Sequence, residues 1–287
     1  MNFKHFLITR FNIKIASVLT KQLDAIDIST DEKYLTERFK LFFDYTVPSV
    51  KAQSEKNFEW IVMFSSKTPD KFKQYMTKLS EEMSNLCVLY VDDNEEASAV
   101  LNREITRYDV QWCITSRVDN DDALATNYIE SVQTYIKSNP VKKYALIFNN
   151  GYQYEERLKI ASKYYFPKNH FSTLIAPCEK VTDTILNYGH MDIDKHLVII
   201  EKDSLEPMWL EVVHGSNVSN RLHIKSKDSV KDVHALQMFG ICNKEIKRLK
   251  FTKFYTLLSK PANAIRIIKQ YGVCKIVGKI IDKLKKS

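Results

Sequence analysis

The residues best placed to do chemistry crowd into one short stretch, "SRVDNDDAL" at 116–124. Asp119, Asp121 and Asp122 set three carboxylates within four residues. Like charges this close repel, so the stretch is either a solvated turn or the seat of a cation. Residues two apart on an extended segment point the same way, so Asp119 and Asp121 can face one ligand while Asn120 turns aside. Asp122 suits the N-cap of a helix expected to follow, where its oxygen would accept backbone N–H bonds. Hard divalent ions prefer oxygen ligands, and Mg2+ or Mn2+ is often held by one or two carboxylates together with substrate phosphates.

The scarcity of glycine bears on the same question. The chain has six glycines, and none builds G-x-G-x-x-G or the G-x-x-x-x-G-K-[ST] loop. A nucleotide bound here would need its phosphate charge met in another way, and a carboxylate-held cation does that. A second stretch, "WLEVVHGSNVSNR" at 209–221, ends an apolar run on His214, beside Gly215. His214 is a turn histidine or, paired with the acidic stretch, a third ligand for the ion.

These residues need a scaffold that brings strand ends together. "HFLITRF" (5–11), "FEWIVMF" (58–64), "LCVLYV" (86–91), "WCITSRV" (112–118) and "YALIFN" (144–149) read as strands. Helical patterns fall between them at 32–50, with Leu35, Phe39, Phe42 and Phe43 on one side, and at 69–83, 95–108 and over "LATNYIESVQTYIK". The alternation predicts an α/β fold with a mostly parallel sheet flanked by helices. "GYQYEERLKIASKYYFP" reads as a Tyr-rich hairpin or an irregular insertion, and "STLIAP" and "MWLEVVH" as further short strands. Open α/β sheets bind ligands at the carboxyl ends of their strands. Thr9, Arg10 and Asn12 end the first strand, Asp92 and Asp93 the third, and Arg117, Asp119 and Asp121 the fourth, so all are candidates for one edge.

Charge divides the chain into a body, 1–243, and a tail, 244–287. The tail holds 13 Lys or Arg against Glu245 and Asp282, a net +11 that leaves the body at −3 of the chain's +8. A mildly acidic body argues against nucleic acid as a partner. Residues 263–287 carry apolar side chains at spacings of mostly three and four, with Lys275, Lys279 and Lys283 forming a basic face. That pattern fits a helix lying on an anionic membrane surface, or one packed on protein. The five cysteines are scattered without metal-finger spacing, which suits free thiols in a reducing compartment. With no signal-peptide pattern and no run of about 20 apolar residues, the expected location is cytoplasmic, peripheral on the inner face of the cell membrane if the tail binds there.

Taken together, "FLITRFN", "RFKLFFDYTVPSVKAQ", "FEWIVMFSSKTP", "SRVDNDDAL" and "WLEVVHGSNVSNR" resemble the rhamnosyltransferases of bacterial polysaccharide gene clusters. The pieces run in order over about three quarters of the chain. The resemblance implies a GT-A-like, Rossmann-like glycosyltransferase domain over 1–243 and a nucleoside-diphosphate sugar as donor. It also implies a D-x-D metal site at Asp119 and Asp121 with His214 as the late metal ligand. The ion would neutralise charge on the leaving diphosphate. Arg10 and Arg117 would bind phosphate or form internal salt bridges, and Asp92 and Asp93 would bind ribose or base or lie in a solvated loop. Tyr152, Tyr154, Tyr164 and Tyr165 would stack on acceptor sugars or simply pack. The acceptor, a saccharide or a lipid-linked one, needs a base in an inverting mechanism. Asp192 in "YGHMDIDKH" is the candidate, ahead of Asp194 and Glu179. A metal-dependent phosphoesterase and a non-catalytic, membrane-docked partner of a polysaccharide synthase remain as alternatives.

Overall fold

A computed structural model describes residues 2–13, 28–92, 95–139, 142–179, 182–214 and 228–247. The first strand, β1 (Phe3–Arg10), lies between β2 (Glu59–Ser65) and β4 (Trp112–Arg117), parallel to both, and β3 (Leu86–Val91) closes one edge, parallel to β2. β2 is buried along its whole length, which is why its sequence is a continuous apolar run and does not alternate. Beyond β4 the sheet becomes mixed. β9 (Thr173–Pro177) runs antiparallel to both β4 and β6 (Tyr144–Phe148), and β10 (Ile199–Lys202) adds in parallel to β6. The order is thus β10-β6-β9-β4-β1-β2-β3. The expected fifth parallel strand, β6, is separated from the rest by β9, a strand the sequence shows only as "STLIAP".

A second sheet has the order β5-β11-β7-β8. It is built from β5 (Ala123–Leu124), β11 (Trp209–Val213) and the hairpin of β7 (Asn150–Glu155) with β8 (Ile160–Tyr165). Trp209 lies against Gly151, and a Cβ on that glycine would fall 2.1 Å from the indole, so the close strand approach requires glycine there.

Helices α3 (Asp70–Glu82), α4 (Ala97–Ile105) and α5 (Tyr128–Ser138) contribute buried faces to the sheet cores. The stretch expected as one helix at 32–50 is helical from Glu32 to Lys51. It comprises α1 (Glu32–Leu41), a π-helical segment at Phe42–Thr46, and α2 (Val47–Lys51). Asp31 caps α1 by accepting the Tyr34 N–H at 2.6 Å. Pro48 falls in the first turn of α2, where the ring is tolerated.

At the tail boundary, Lys244 pairs with Asp44 at 2.8 Å and Ile246 is buried with Phe239 and Ile241. Residues 244–247 therefore pack on the body. The amphipathic stretch 263–287 lies outside the described residues. Among the described residues no helix is long and apolar enough to cross a membrane.

Candidate functional site

The acidic stretch forms a turn directly after β4. Its backbone is tied to neighbouring elements: the Val118 N–H donates to Ile8 O at 3.1 Å and the Asn120 side-chain amide to Phe11 O at 2.9 Å. Thr46, from the π-helical segment, donates its hydroxyl to Asp122 O at 2.8 Å and reaches Asp119 O at 3.3 Å. A π-turn offsets the helix by one residue, and here that segment supplies the hydroxyl which meets the turn.

The three carboxylates have different surroundings. Asp119 is the open one, with 48% of its side chain exposed. Asp121 is buried, and its Oδ2 meets Arg38 Nη1 at 2.6 Å and His214 Nε2 at 2.8 Å. Burial would push its carboxyl up, but His214 and Arg38 hold it below the ordinary carboxylate range. Asp122 is also buried; its Oδ1 accepts the Val212 N–H at 2.8 Å and its Oδ2 lies 2.7 Å from His170 Nε2. Burial, with Asp121 beside it, raises the Asp122 carboxyl to about 7. Burial opposes protonation of His170, yet Asp122 and Asp119 lift it to about 9.

The expected capping role of Asp122 is corrected by these contacts. The next helix, α5, begins at Tyr128 after Asn127, and β5 intervenes, so Asp122 has no helix to cap and instead ties the turn to β11.

Asp121 and His214, expected as metal ligands, are brought together as expected, with Arg38 as a third partner. Asp119 is drawn into a different group. Ligand atoms of Asp119, Asp122 and His170 all lie within 4.8 Å of one another. Two carboxylates and an imidazole suit Mn2+ or Mg2+, and Asp122, crowded by Asp121, is a carboxylate whose ionised form a cation would favour. The donor set fits the implied ion.

Cations surround the turn. Arg117 is buried, donates through Nε to the His170 carbonyl, and is pushed down to about 10 by burial and by Arg10, against the pull of Asp119. Of its two expected roles, the salt bridge is not formed among the described residues. Arg10, at the end of β1, is close enough to repel it. His190 stands with its ring 6.0 Å from that of His170 and is lowered to about 4 by burial, Arg117 and His170.

Other candidates fall elsewhere. Thr9 is fully buried and accepts from Trp60 Nε1 at 3.0 Å. Asn12 is fully buried between Thr68 and Ser65. Both hold the strand end and present no surface to a ligand. Asp92 is exposed at the end of β3, and Asp93 lies outside the described residues. Asp192 is on the surface, paired with Lys195 at 2.5 Å, and Asp194 is paired with Lys168 at 2.9 Å. Their loop reaches the turn through His190.

Sequence reasoning missed Arg38 and His170. Arg38 had a signal: it lies three residues after Leu35 and four before Phe42, within the apolar stripe of α1, where a charge needs a partner. His170 had none, because only the antiparallel pairing of β9 with β4, Ser116 opposite Thr173, brings it beside the turn.

Residues 4–226 match the model of a protein family described as "Putative rhamnosyl transferase". No curated protein matches the chain. Among solved structures, S. aureus TarS 1-349 is similar at 11% identity, over 73% of this chain and 60% of that one, with a TM-score of 0.43. The same fragment in complex with UDP is similar at 10% identity, over 94% and 72%, with a TM-score of 0.39. The inositol-1-phosphate CTP transferase from T. maritima gives 9%, 86%, 99% and 0.38. The chain spans 60% of the first TarS structure and 37% of another. Likeness of this degree does not extend to function.

Proposed function

The chain belongs to this rhamnosyl transferase family, a family of glycosyltransferases, and we propose that it moves a sugar, rhamnose by its family's description, from a nucleoside-diphosphate donor to a saccharide or lipid-linked acceptor with the help of a divalent cation. The observation that carries the reading is the convergence of Asp119, Asp122 and His170 at the carboxyl end of β4, with Arg10 at the end of the neighbouring strand. Such a site pairs ligands for a cation with positive charge for phosphate.

Asp119, Asp122 and His170 would hold Mn2+ or Mg2+, which supplies charge neutralisation for the departing nucleoside diphosphate. The alternative set, Asp119 with Asp121 and His214, would require the ion to displace the 2.8 Å contact between Asp121 and His214. Arg10 adds a positive charge near the donor phosphates, and Arg117 braces the His170 backbone. The turn is held by Thr46, Asn120 and Val212, so its carboxylates are oriented before substrate arrives. Asp192 would take the acceptor proton. Its ion pair with Lys195 holds its carboxyl below the ordinary range, so it becomes an effective base once substrate displaces that lysine. The basic stretch 263–287 would hold the enzyme at an anionic membrane where a lipid-linked acceptor resides.

Incubation with a panel of sugar nucleotides and Mn2+ tests the reading through slow hydrolysis of one donor. Release of nucleoside diphosphate and free sugar is expected. Cleavage of simple phosphate esters instead would point to a phosphoesterase, and inertness toward every donor to a non-catalytic partner.

A further inference from the structure

The second sheet carries a cleft apart from the acidic turn. It has a volume of about 530 Å3, within the roughly 300–1,000 Å3 of small-molecule sites. Its floor comes from β7 and β8, where Tyr152, Lys163 and Tyr165 share one face because Tyr152 pairs with Lys163 and Asn150 with Tyr165. Its wall is the loop before β11, with Leu205 and Glu206, and Asp228 contributes from the far side. The wall is pre-formed. Asn150 donates to Ser204 O at 2.6 Å, the Met208 N–H donates to Asn150 O at 2.9 Å, and the Asn149 amide joins Asp203 at 2.9 Å to the Tyr165 hydroxyl at 3.3 Å.

This anchored loop nevertheless leaves Leu205 fully exposed, and Tyr165 on β8 is 56% exposed. Apolar surfaces held open beside carboxylates match one ligand chemistry well. A pyranose ring offers a C–H face, which packs on an aromatic ring with its slightly positive hydrogens toward the negative π-face. Its rim of hydroxyls donates hydrogen bonds to carboxylates such as Glu206 and Asp228 and accepts them from the Lys163 ammonium. Two carboxylates against one ammonium disfavour an anion, a nucleoside diphosphate included.

We propose that this cleft binds an uncharged saccharide segment of the acceptor, as a subsite separate from the acidic turn. The proposal rests on the glycosyltransferase reading for the word acceptor, but not for the binding itself. Position supports it. Tyr152 lies opposite Leu210, and the acidic turn meets the same strand at Val212, two residues further on. Tyr165, on β8 opposite Asn150, lies four residues back from Val212 and two strands across, so at about 3.3 Å per residue and about 4.8 Å per strand the exposed ring stands on the order of 15 Å from the point where the turn meets β11, a span of about three sugar units. A chain whose growing end is at the turn can rest its preceding sugars in the cleft.

Saturation-transfer NMR on the full-length protein tests this with three neutral probes: maltotriose, cellotriose and an α-1,3-linked rhamnotriose. At least one should bind saturably. Tyr165→Ala, at an exposed position that leaves the fold intact, should weaken that binding roughly three- to tenfold, the worth of one aromatic contact. Uridine diphosphate binding and donor hydrolysis should not change in the variant. No binding by any probe to protein that still turns over donor overturns the subsite, as does binding indifferent to Tyr165→Ala. Tyr165-dependent binding by a protein inert toward every donor would uphold the cleft and reject the transferase reading.

Discussion

Replacing Arg38 with methionine keeps most of its packing and removes the guanidinium that faces Asp121. In the native protein both side chains are about nine-tenths buried, at 12% and 10% exposure. Breaking such a pair from one side costs about 3–5 kcal/mol, because the remaining charge stays buried. Asp121 keeps the His214 contact at 2.8 Å, and its further escape is to bind a proton. From its ordinary value of 3.8, protonation costs about 5 kcal/mol at pH 7.5 but only about 1.5 kcal/mol at pH 5, at 1.36 kcal/mol per unit. The loss in Arg38→Met should therefore be about 3–4 kcal/mol at pH 7.5 and shrink toward about 1.5 kcal/mol at pH 5. In a thermal melt at pH 7.5 that is a drop on the order of 6–10 °C. Adding Asp121→Asn removes the stranded charge and should restore much of the loss. Urea unfolding in EDTA at both pH values is the assay. A loss under about 1 kcal/mol at pH 7.5, or an equal loss at both pH values, would refute the view that Arg38, beside His214, is needed to hold Asp121 ionised.

Three further outcomes are expected. His5 is buried against Ser116 and pushed down to about 3 by burial, so it stays neutral in the fold while the unfolded chain takes up a proton below about 6.5; stability is lost as pH falls, by about 2 kcal/mol at pH 5, and His5→Gln should flatten that slope. An acid limb of unchanged steepness in His5→Gln would exclude this residue as the source. Gly151→Ala drives a Cβ into the Trp209 ring and should cost about 1–3 kcal/mol, so a denaturation midpoint equal to the parent's would show that the strands separate freely. Asp192→Asn should lower turnover about 100-fold with donor affinity unchanged; unaltered turnover removes Asp192 as the base and favours Asp194, Glu179 or a retaining mechanism.

The elements that could be read from the sequence are those whose signal is local. The apolar runs at 58–64 and 112–118 became β2 and β4 within a residue or two, because a strand buried on both faces is mostly apolar. The stretch after Asn150, read as a hairpin or an irregular insertion, is the hairpin of β7 and β8. The insertion of β9 between β4 and β6 was not, since antiparallel pairing across 60 residues leaves no mark on either strand. That one pairing also explains why His170 escaped notice while His214, at the end of a readable strand, did not. The crowding of Asp119, Asp121 and Asp122 was visible in the sequence, but the spacing, which paired Asp119 with Asp121, could not tell that Asp121 would face Arg38 and that Asp122, read as a cap, would face His170 beside Asp119. Thr9 and Asn12 show the converse. They stand at the correct strand end, but their side chains turn inward to Trp60 and Thr68.

The most direct measurement is anomalous scattering at the manganese edge from crystals grown with Mn2+ and a nucleoside diphosphate. The account predicts a peak at the acidic turn, about 2.0–2.3 Å from a carboxylate oxygen of Asp119 and from either His170 with Asp122 or His214 with Asp121, with the diphosphate on its open side. It also predicts that Asp119→Asn abolishes the peak. Diphosphate bound at the turn with no manganese beside it, or manganese bound elsewhere on the protein, would contradict the account.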